Sequence, residues 1–340
     1  MNAPRTEAEL EARLSEPDAA TVDALAALDG DLMVLGAGGK MGPSLVQMAR
    51  RAIADQSRRV IAVSRFSDVD AVATLEAAGV QVVRADLSDP RAVAALPDAP
   101  NVLWLAGQKF GTTGDPVGTW THNVVASAHA AERYAGSRIV CFSTGNVYGR
   151  VPVSSGGSLE ADALRPDGEY AASCIGRERV FQSVTRRTGS PLLLYRLFYA
   201  NDLRYGVVTE IARKVLAGEA VDLEMGHVNV IWQGDANRLA LRALGETTTT
   251  AEEQALNVTG PVVSVREIAA CVARHAGVEA QLTGTEAPDA LIGNVDALMQ
   301  RLPYEALPLD SLCAWAVAWI RGGGRLLAKP TKFQVRDGRF

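Results

Sequence analysis

The chain has 340 residues, of which 48% are hydrophobic and 21% charged, with a formal net charge of −5. That length suits one large α/β domain with a smaller appended region. The acidic balance gives a nucleic-acid partner no electrostatic support, and no apolar run is long enough to span a bilayer. Met1 to Pro17 is polar and acidic, unlike a signal or transit peptide, so the cytoplasm is the expected compartment. Cys141, Cys174, Cys271 and Cys313 show no knuckle or redox spacing, and the histidines no paired-ligand spacing, so neither a metal nor a disulfide is expected.

Residues 1–30 read as a helical extension, with an apolar stripe of Leu10, Leu14, Val22, Leu25 and Leu28 broken near Pro17. Packing against the main domain is its expected role, with a homodimer contact as the alternative. Residues 31–198 then alternate short apolar strands with helices. The strands are Leu32–Leu35, Val60–Val63, Val80–Val83, Val102–Leu105, Ile139–Phe142 and Leu192–Tyr195, with helices over 117–135 and 169–187 among those between them. Near-continuous apolar strands separated by helices imply a parallel sheet covered on both faces, a Rossmann-type doubly wound α/β fold. Residues 199–321 mix helical stretches with short β-like runs at 228–232 and 255–258, and read as a smaller, mostly helical substrate region interleaved with the sheet. Residues 322–340 are glycine-rich and then basic, an extended tail ordered only where it packs back on the body.

After the first strand comes Gly36-Ala37-Gly38-Gly39-Lys40-Met41-Gly42. Glycines at 36, 39 and 42 allow a tight turn and a close approach of backbone to phosphate, and the following helix points its N–H groups at the anion. The position between strand and helix makes this a dinucleotide turn. Strand two ends Val63-Ser64-Arg65, where an NAD site usually offers a carboxylate to the ribose. Ser64 and Arg65 suit a 2′-phosphate instead, so NADP is preferred over NAD, against the alternative of a solvated surface arginine. Asp86, ending strand three, is a candidate acceptor for the adenine amino group.

These motifs resemble the extended short-chain dehydrogenase/reductases, in the NAD(P)-dependent epimerase/dehydratase branch, from about Asp31 to Gly277. The resemblance rests on the glycine turn, Asp86-Leu87, Leu105-Ala106-Gly107, Asn123, Ser143-Thr144-Gly145-Asn146-Val147-Tyr148-Gly149, Tyr170, Tyr195-Arg196-Leu197-Phe198, Asp235-Ala236 and Leu256-Asn257-Val258-Thr259-Gly260. Gln108-Lys109 is similar to the lysine-bearing loop of UDP-galactose 4-epimerases. The resemblance implies Tyr170 as acid/base, Thr144 as its hydroxyl partner, and Asn123 and Lys109 as further catalytic candidates. It also implies a cofactor shell that includes Leu105, Ala106, Gly107, Lys109, Ser143, Tyr170 and Cys174.

Two departures qualify that implication. The family lysine four residues after the tyrosine is replaced by Cys174, which carries no fixed positive charge to lower the tyrosine pKa from its ordinary ~10. Three readings stay open: Lys109 or Arg177 substitutes, Tyr170 works weakly or yields to another base, or the chain is a catalytically inactive dinucleotide-binding regulator. Second, Tyr199 stands where nucleotide-sugar enzymes carry asparagine, and residues 227–234, just ahead of Asp235, hold no arginine. The expected substrate is therefore a small molecule (a sugar, sugar acid or similar polyhydroxylated metabolite), with a nucleotide-sugar enzyme as a further alternative. Thr144, Asn146, Tyr199, Asn229 and Trp232 are the candidate substrate residues, Trp232 reading equally as core. Arg204 and Arg213 are candidate anion contacts or surface residues.

Overall fold

The computed structural model describes residues 2–327 and 329–338. Its centre is a parallel sheet of seven strands: β1 Leu32–Leu35, β2 Val60–Ser64, β3 Gln81–Arg84, β4 Asn101–Trp104, β5 Arg138–Thr144, β6 Leu192–Leu197 and β7 Ala255–Val258. Their spatial order is 3-2-1-4-5-6-7. The order reverses between β1 and β4, which pair in register from Leu32↔Asn101 to Leu35↔Trp104. A crevice at the carboxyl ends of the strands opens at such a reversal. The seventh strand corrects the six expected. Ala255–Val258, read as a short run of the appended region, pairs with Leu194–Leu197 and extends the sheet.

Strand residues alternate between two buried faces, as the pleat requires. Val34, Ala62, Leu103, Val140 and Leu193 face the helices Gly42–Ala52 and Gln233–Arg242. Met33, Leu35, Ile61, Trp104 and Cys141 face Ala126–Arg133 and the long helix Gly168–Thr188. A third core holds the appended region together, joining helices Val207–Leu216, Val265–Ala276 and Leu309–Arg321. A small sheet of Tyr199–Asn201, His227–Trp232 and Val262–Ser264 lies beside it.

The N-terminal extension forms two helices, Glu7–Leu14 and Ala19–Ala26. Leu10 and Leu14 enter the third core, and Leu25 and Leu28 the first sheet face. The apolar stripe is thus used within the chain, bridging the two regions. No helix among the described residues is long and apolar enough to cross a membrane.

One buried ion pair ties the second half of the sheet to the long helix. Arg196 on β6 grips Glu178 of that helix through Nε (2.9 Å) and Nη2 (2.8 Å), with both side chains at most 5% exposed. Ser143 Oγ donates to Glu178 at 2.6 Å, Arg196 Nη1 donates to the Tyr148 hydroxyl at 2.6 Å, and that hydroxyl donates to Asn257 Oδ1 at 2.8 Å. Removing one partner of a buried pair leaves an uncompensated charge. Glu178→Gln is therefore expected to lower unfolding stability by about 3–5 kcal/mol. Urea denaturation measures this, and a midpoint equal to wild type would remove the pair from that role.

Candidate active site

The glycine turn sits where the sheet order reverses. Gly36 has φ +90°, and a Cβ there would lie 2.4 Å from the Ala106 backbone nitrogen. A Cβ on Gly42 would lie 2.2 Å from the Ala37 carbonyl oxygen. Only glycine lets the turn press this closely on β4 and on itself. Helix Gly42–Ala52 begins with Pro43 in its first turn and no side-chain cap, so its N-terminal dipole is left for an anion.

Two clefts meet at this turn. The first, of about 260 Å³, is lined by Gly36, Gly38, Gly39, Ser64, Arg65, Asp86, Leu87, Leu105, Ala106 and Gly107, together with His122. These are the residues expected around the adenosine half of a dinucleotide, and they fit that group. The cradle has no side chain where phosphate would approach, and no carboxylate stands at 64 or 65. Asp86 is already engaged by Ser88, whose N–H and hydroxyl donate to it at 2.9 and 2.7 Å and hold its pKa below the usual carboxylate range.

The second cleft, of about 170 Å³, continues from the first past Lys40 and Met41 of the turn. It brings together Lys109, Ser143, Thr144, Tyr170 and Tyr199, with Tyr205, Gln233 and Thr331 beside them. Tyr170 and Thr144 are hydrogen-bonded through their side chains. Thr144 Oγ1 also donates to Asn146 Oδ1 at 2.9 Å and accepts from the Asn146 N–H at 3.2 Å. Asn146 thus fixes the Thr144 hydroxyl and is not itself among the cleft-lining residues.

Tyr170 packs against a small apolar cluster of Val147, Tyr148, Cys174 and Phe198. Burial, then the neighbouring Cys174 thiol, push the tyrosine pKa up, and Arg177 opposes them. Arg177 is the cation nearest the place of the missing lysine. It is 5% exposed and donates to the Cys174 sulfur at 3.4 Å and to the Phe142 carbonyl at 2.8 Å. Lys109 approaches from the other side, its Nζ 5.9 Å from the Tyr170 ring centroid. Burial and then Lys40 neighbours matter here too: the Lys40 ammonium is pulled down to about 7 by burial and next by Lys109, while burial pulls Lys109 down to about 8.

Three expected site residues lie elsewhere. Asn123 is fully buried in a π-helical turn, Thr121–Val125. Its amide accepts from the Gln108 N–H at 2.7 Å and donates to the Gln108 carbonyl at 3.0 Å, so it holds the Lys109 loop without facing the cleft. Asn229 donates to Gly260 and Gly293 carbonyls and accepts from the Gly293 N–H, leaving no amide atom for a ligand. Trp232 packs edge-on against Trp315 with ring centroids 5.6 Å apart, a core position. Of the two candidate anion contacts, Arg204 is bound by Asp202, Glu7 and Glu11, and Arg213 by Glu219.

One grouping has a spacing that the sequence reading passed over, Cys271-x-x-x-His275. With Asp310 it places three ligand-type atoms within 4.8 Å of one another. Arg274 donates to both Asp310 (2.7 Å) and the Cys271 sulfur (3.3 Å), so a guanidinium already answers that charge.

The family model for the NAD dependent epimerase/dehydratase family matches residues 32–241. No curated protein matches the chain. Among solved structures, the chain is similar to a UDP-glucose 4-epimerase from Thermus thermophilus in complex with NAD, at 21% identity and TM-score 0.67, covering 86% of this chain and 99% of that one. It is similar to a UDP-glucuronic acid 4-epimerase from Bacillus cereus (16% identity, TM-score 0.71, 86% and 99% covered). A dTDP-glucose 4,6-dehydratase from Streptomyces venezuelae, solved with NAD bound, aligns at 18% identity and TM-score 0.70, covering 86% and 97%.

If Arg177 is the cation that eases Tyr170 deprotonation, supplying a second one at 174 should ease it further. Cys174→Lys is expected to move the ascending (acid) limb of the turnover–pH profile downward by at least one pH unit, on the order of the shift a charge within 4–6 Å produces. An unmoved profile would show that Tyr170 does not titrate in the reaction. With its fold, the matched family model leads to one conclusion: this chain belongs to the NAD-dependent epimerase/dehydratase family.

Proposed function

We propose that the chain is an NAD(P)-dependent epimerase or dehydratase acting on a nucleotide-linked sugar. The observation that carries this reading is the Tyr170–Thr144 hydrogen bond in the second cleft, beside the glycine turn. Family membership supports it, as do relatives named for UDP- and dTDP-sugars. The free sugar or sugar acid favoured by the absent asparagine and arginine is set aside: cleft lysines answer the same anionic requirement from other positions.

A nicotinamide bound along the turn supplies a reversible hydride acceptor at the sugar carbon. Gly36–Gly42 would hold its pyrophosphate, with Leu105–Gly107 against its inner half. Thr144, fixed by Asn146, orients the reacting sugar hydroxyl. Tyr170 takes that proton and returns it, which requires its anion to be reachable, and Arg177 and Lys109 favour the anion electrostatically. Tyr199 and Tyr205 line the cleft beside them.

Incubation with UDP-glucose or dTDP-glucose and NAD, followed by NMR of the sugar products, tests the proposal. Turnover should fall about 10²–10⁴-fold in Tyr170→Phe, the usual contribution of a positioned acid/base. The upward push on Tyr170 favours one competing reading, a dinucleotide-binding regulator. Tight dinucleotide binding with no turnover of any nucleotide sugar would establish that reading.

For the dinucleotide, Ser64 and Arg65 at the groove edge favour a 2′-phosphate over a ribose diol. Arg65→Ala is expected to weaken NADP binding by about 10-fold or more, the worth of a charge-assisted hydrogen bond, and to leave NAD binding within about twofold. Equal losses for both in calorimetric titration would overturn the assignment.

A further inference from the structure

Away from the two clefts, a second set of chemistry-bearing side chains gathers between helices Val265–Ala276 and Leu309–Arg321. Cys271 and His275 stand four residues apart on the first helix, and so on one face. Asp310 and Cys313 stand three apart near the start of the second. Both helices belong to the third core, which buries the two cysteines among apolar residues. Chain spacing hides the full set, because its halves lie on two helices that meet only in the fold.

Asp310 Oδ1 is the centre of the set. That one oxygen lies 2.9 Å from His275 Nε2, and it accepts from the Cys271 thiol at 3.5 Å and from Arg274 at 2.7 Å. Cys271 is hydrogen-bonded in turn to the Cys313 thiol. Arg274, and then His275, hold the Asp310 carboxyl down to about 2, so it is an anion at neutral pH. The ligand-type atoms of Cys271, His275 and Asp310 all lie within 4.8 Å of one another.

These separations are close to those of a coordination shell. Tetrahedral zinc, with bonds of about 2.3 Å to sulfur and about 2.0 Å to nitrogen and oxygen, sets sulfur and oxygen about 3.5 Å apart and nitrogen and oxygen about 3.3 Å apart. The Cys271–Asp310 separation already matches, and the His275 nitrogen would move away from Asp310 by only about 0.4 Å. Two thiols, an imidazole and a carboxylate make a donor set that suits zinc and not magnesium or calcium. The resident cation is the Arg274 guanidinium, which bridges Asp310 and the Cys271 sulfur. Its side chain is 63% exposed, so it can swing into water and leave both groups to a metal ion.

We propose that Cys271, His275, Asp310 and Cys313 form a zinc site that clips the last helix to its neighbour, with Arg274 displaced on binding. Each thiol loses its proton as its sulfur bonds the metal, so two protons leave for each zinc that binds. The site is independent of the nucleotide-sugar reading and lies outside the catalytic clefts.

Full-length protein, treated with a chelator and kept reduced by a phosphine, is titrated with cobalt(II) and then with zinc(II). Cobalt should bind at one ion per chain and give a thiolate-to-metal charge-transfer band, which zinc then abolishes by displacement. His275→Gln and Asp310→Asn, both at partly exposed positions, should each weaken zinc binding at least about 10-fold, since even a partner outside the coordination shell is worth that much. Arg274→Gln, which removes the competing guanidinium, should tighten it about twofold or more, the worth of an exposed ion pair. Saturating zinc should raise the Tm of the wild type by about 2 °C or more and leave that of Cys271→Ser unmoved. No charge-transfer band in the wild type, zinc affinity unchanged in both His275→Gln and Asp310→Asn, or magnesium binding as tight as zinc overturns the proposal; so does weaker zinc binding in Arg274→Gln.

Discussion

The Glu178–Arg196 pair is the constraint on which the site depends. It lies at the carboxyl end of the sheet, where β5 and β6 stop and the Tyr170 helix passes across them. Both charges are out of water, so each is tolerable only in the presence of the other. Ser143, Tyr148 and Asn257 take up the remaining hydrogen-bonding capacity. The network therefore joins β5, β6, β7, the turn after β5 and the long helix. Thr144 follows Ser143 directly, and Tyr170 lies two helical turns before Glu178. The distance between the two candidate catalytic hydroxyls is thereby set by ion pairing beneath them, and not by the loops that carry them.

The same burial explains how a cysteine can occupy position 174. A lysine there would carry its charge to the tyrosine from one turn away. In this chain the buried cation beside that position is Arg177, one residue short of another turn, whose guanidinium reaches back to the Cys174 sulfur and to the Phe142 carbonyl. A Cβ on Gly107 would lie 2.8 Å from that guanidinium, so the loop after β4 has given up a side chain to admit it. Arginine stays charged when buried, and its planar fork can serve a carbonyl and a thiol together. It supplies field and not a proton, so it can favour the tyrosine anion without competing for the substrate.

Local signals carried most of the fold. The glycine turn, the apolar runs of β1 to β6 and the long helix from 168 are each decided by a few adjacent residues, and those were legible. Ala255–Val258 was not legible as a sheet strand, because its membership depends on β6, about sixty residues earlier. Asn229 was misplaced, and Trp232 left open between pocket and core, for a related reason. Strand His227–Trp232 looks half-polar in sequence, yet its asparagine is consumed by backbone at Gly260 and Gly293 and its tryptophan by Trp315. Arg204 read as an anion contact or a surface residue because its partners Glu7 and Glu11 lie almost two hundred residues away. Thr331 gave no signal at all, since only the docking of Phe333 brings the tail to the cleft.

The two chain ends do matching work around the substrate region. The first two helices span both cores, with Leu10 and Leu14 on one side and Leu25 and Leu28 on the other. The tail crosses the opposite side and meets the start of the Tyr170 helix at Gly168. Arg204 lies between them, ion-paired to the first helix and receiving the tail's Leu327 on its carbonyl. Tyr205, the next residue, stacks its ring over the Lys40 ammonium of the glycine turn. Both ends of the chain thus contact the glycine turn through two adjacent residues. Packing at Arg204–Tyr205 joins the appended region to the glycine turn, in addition to the strands that run between them.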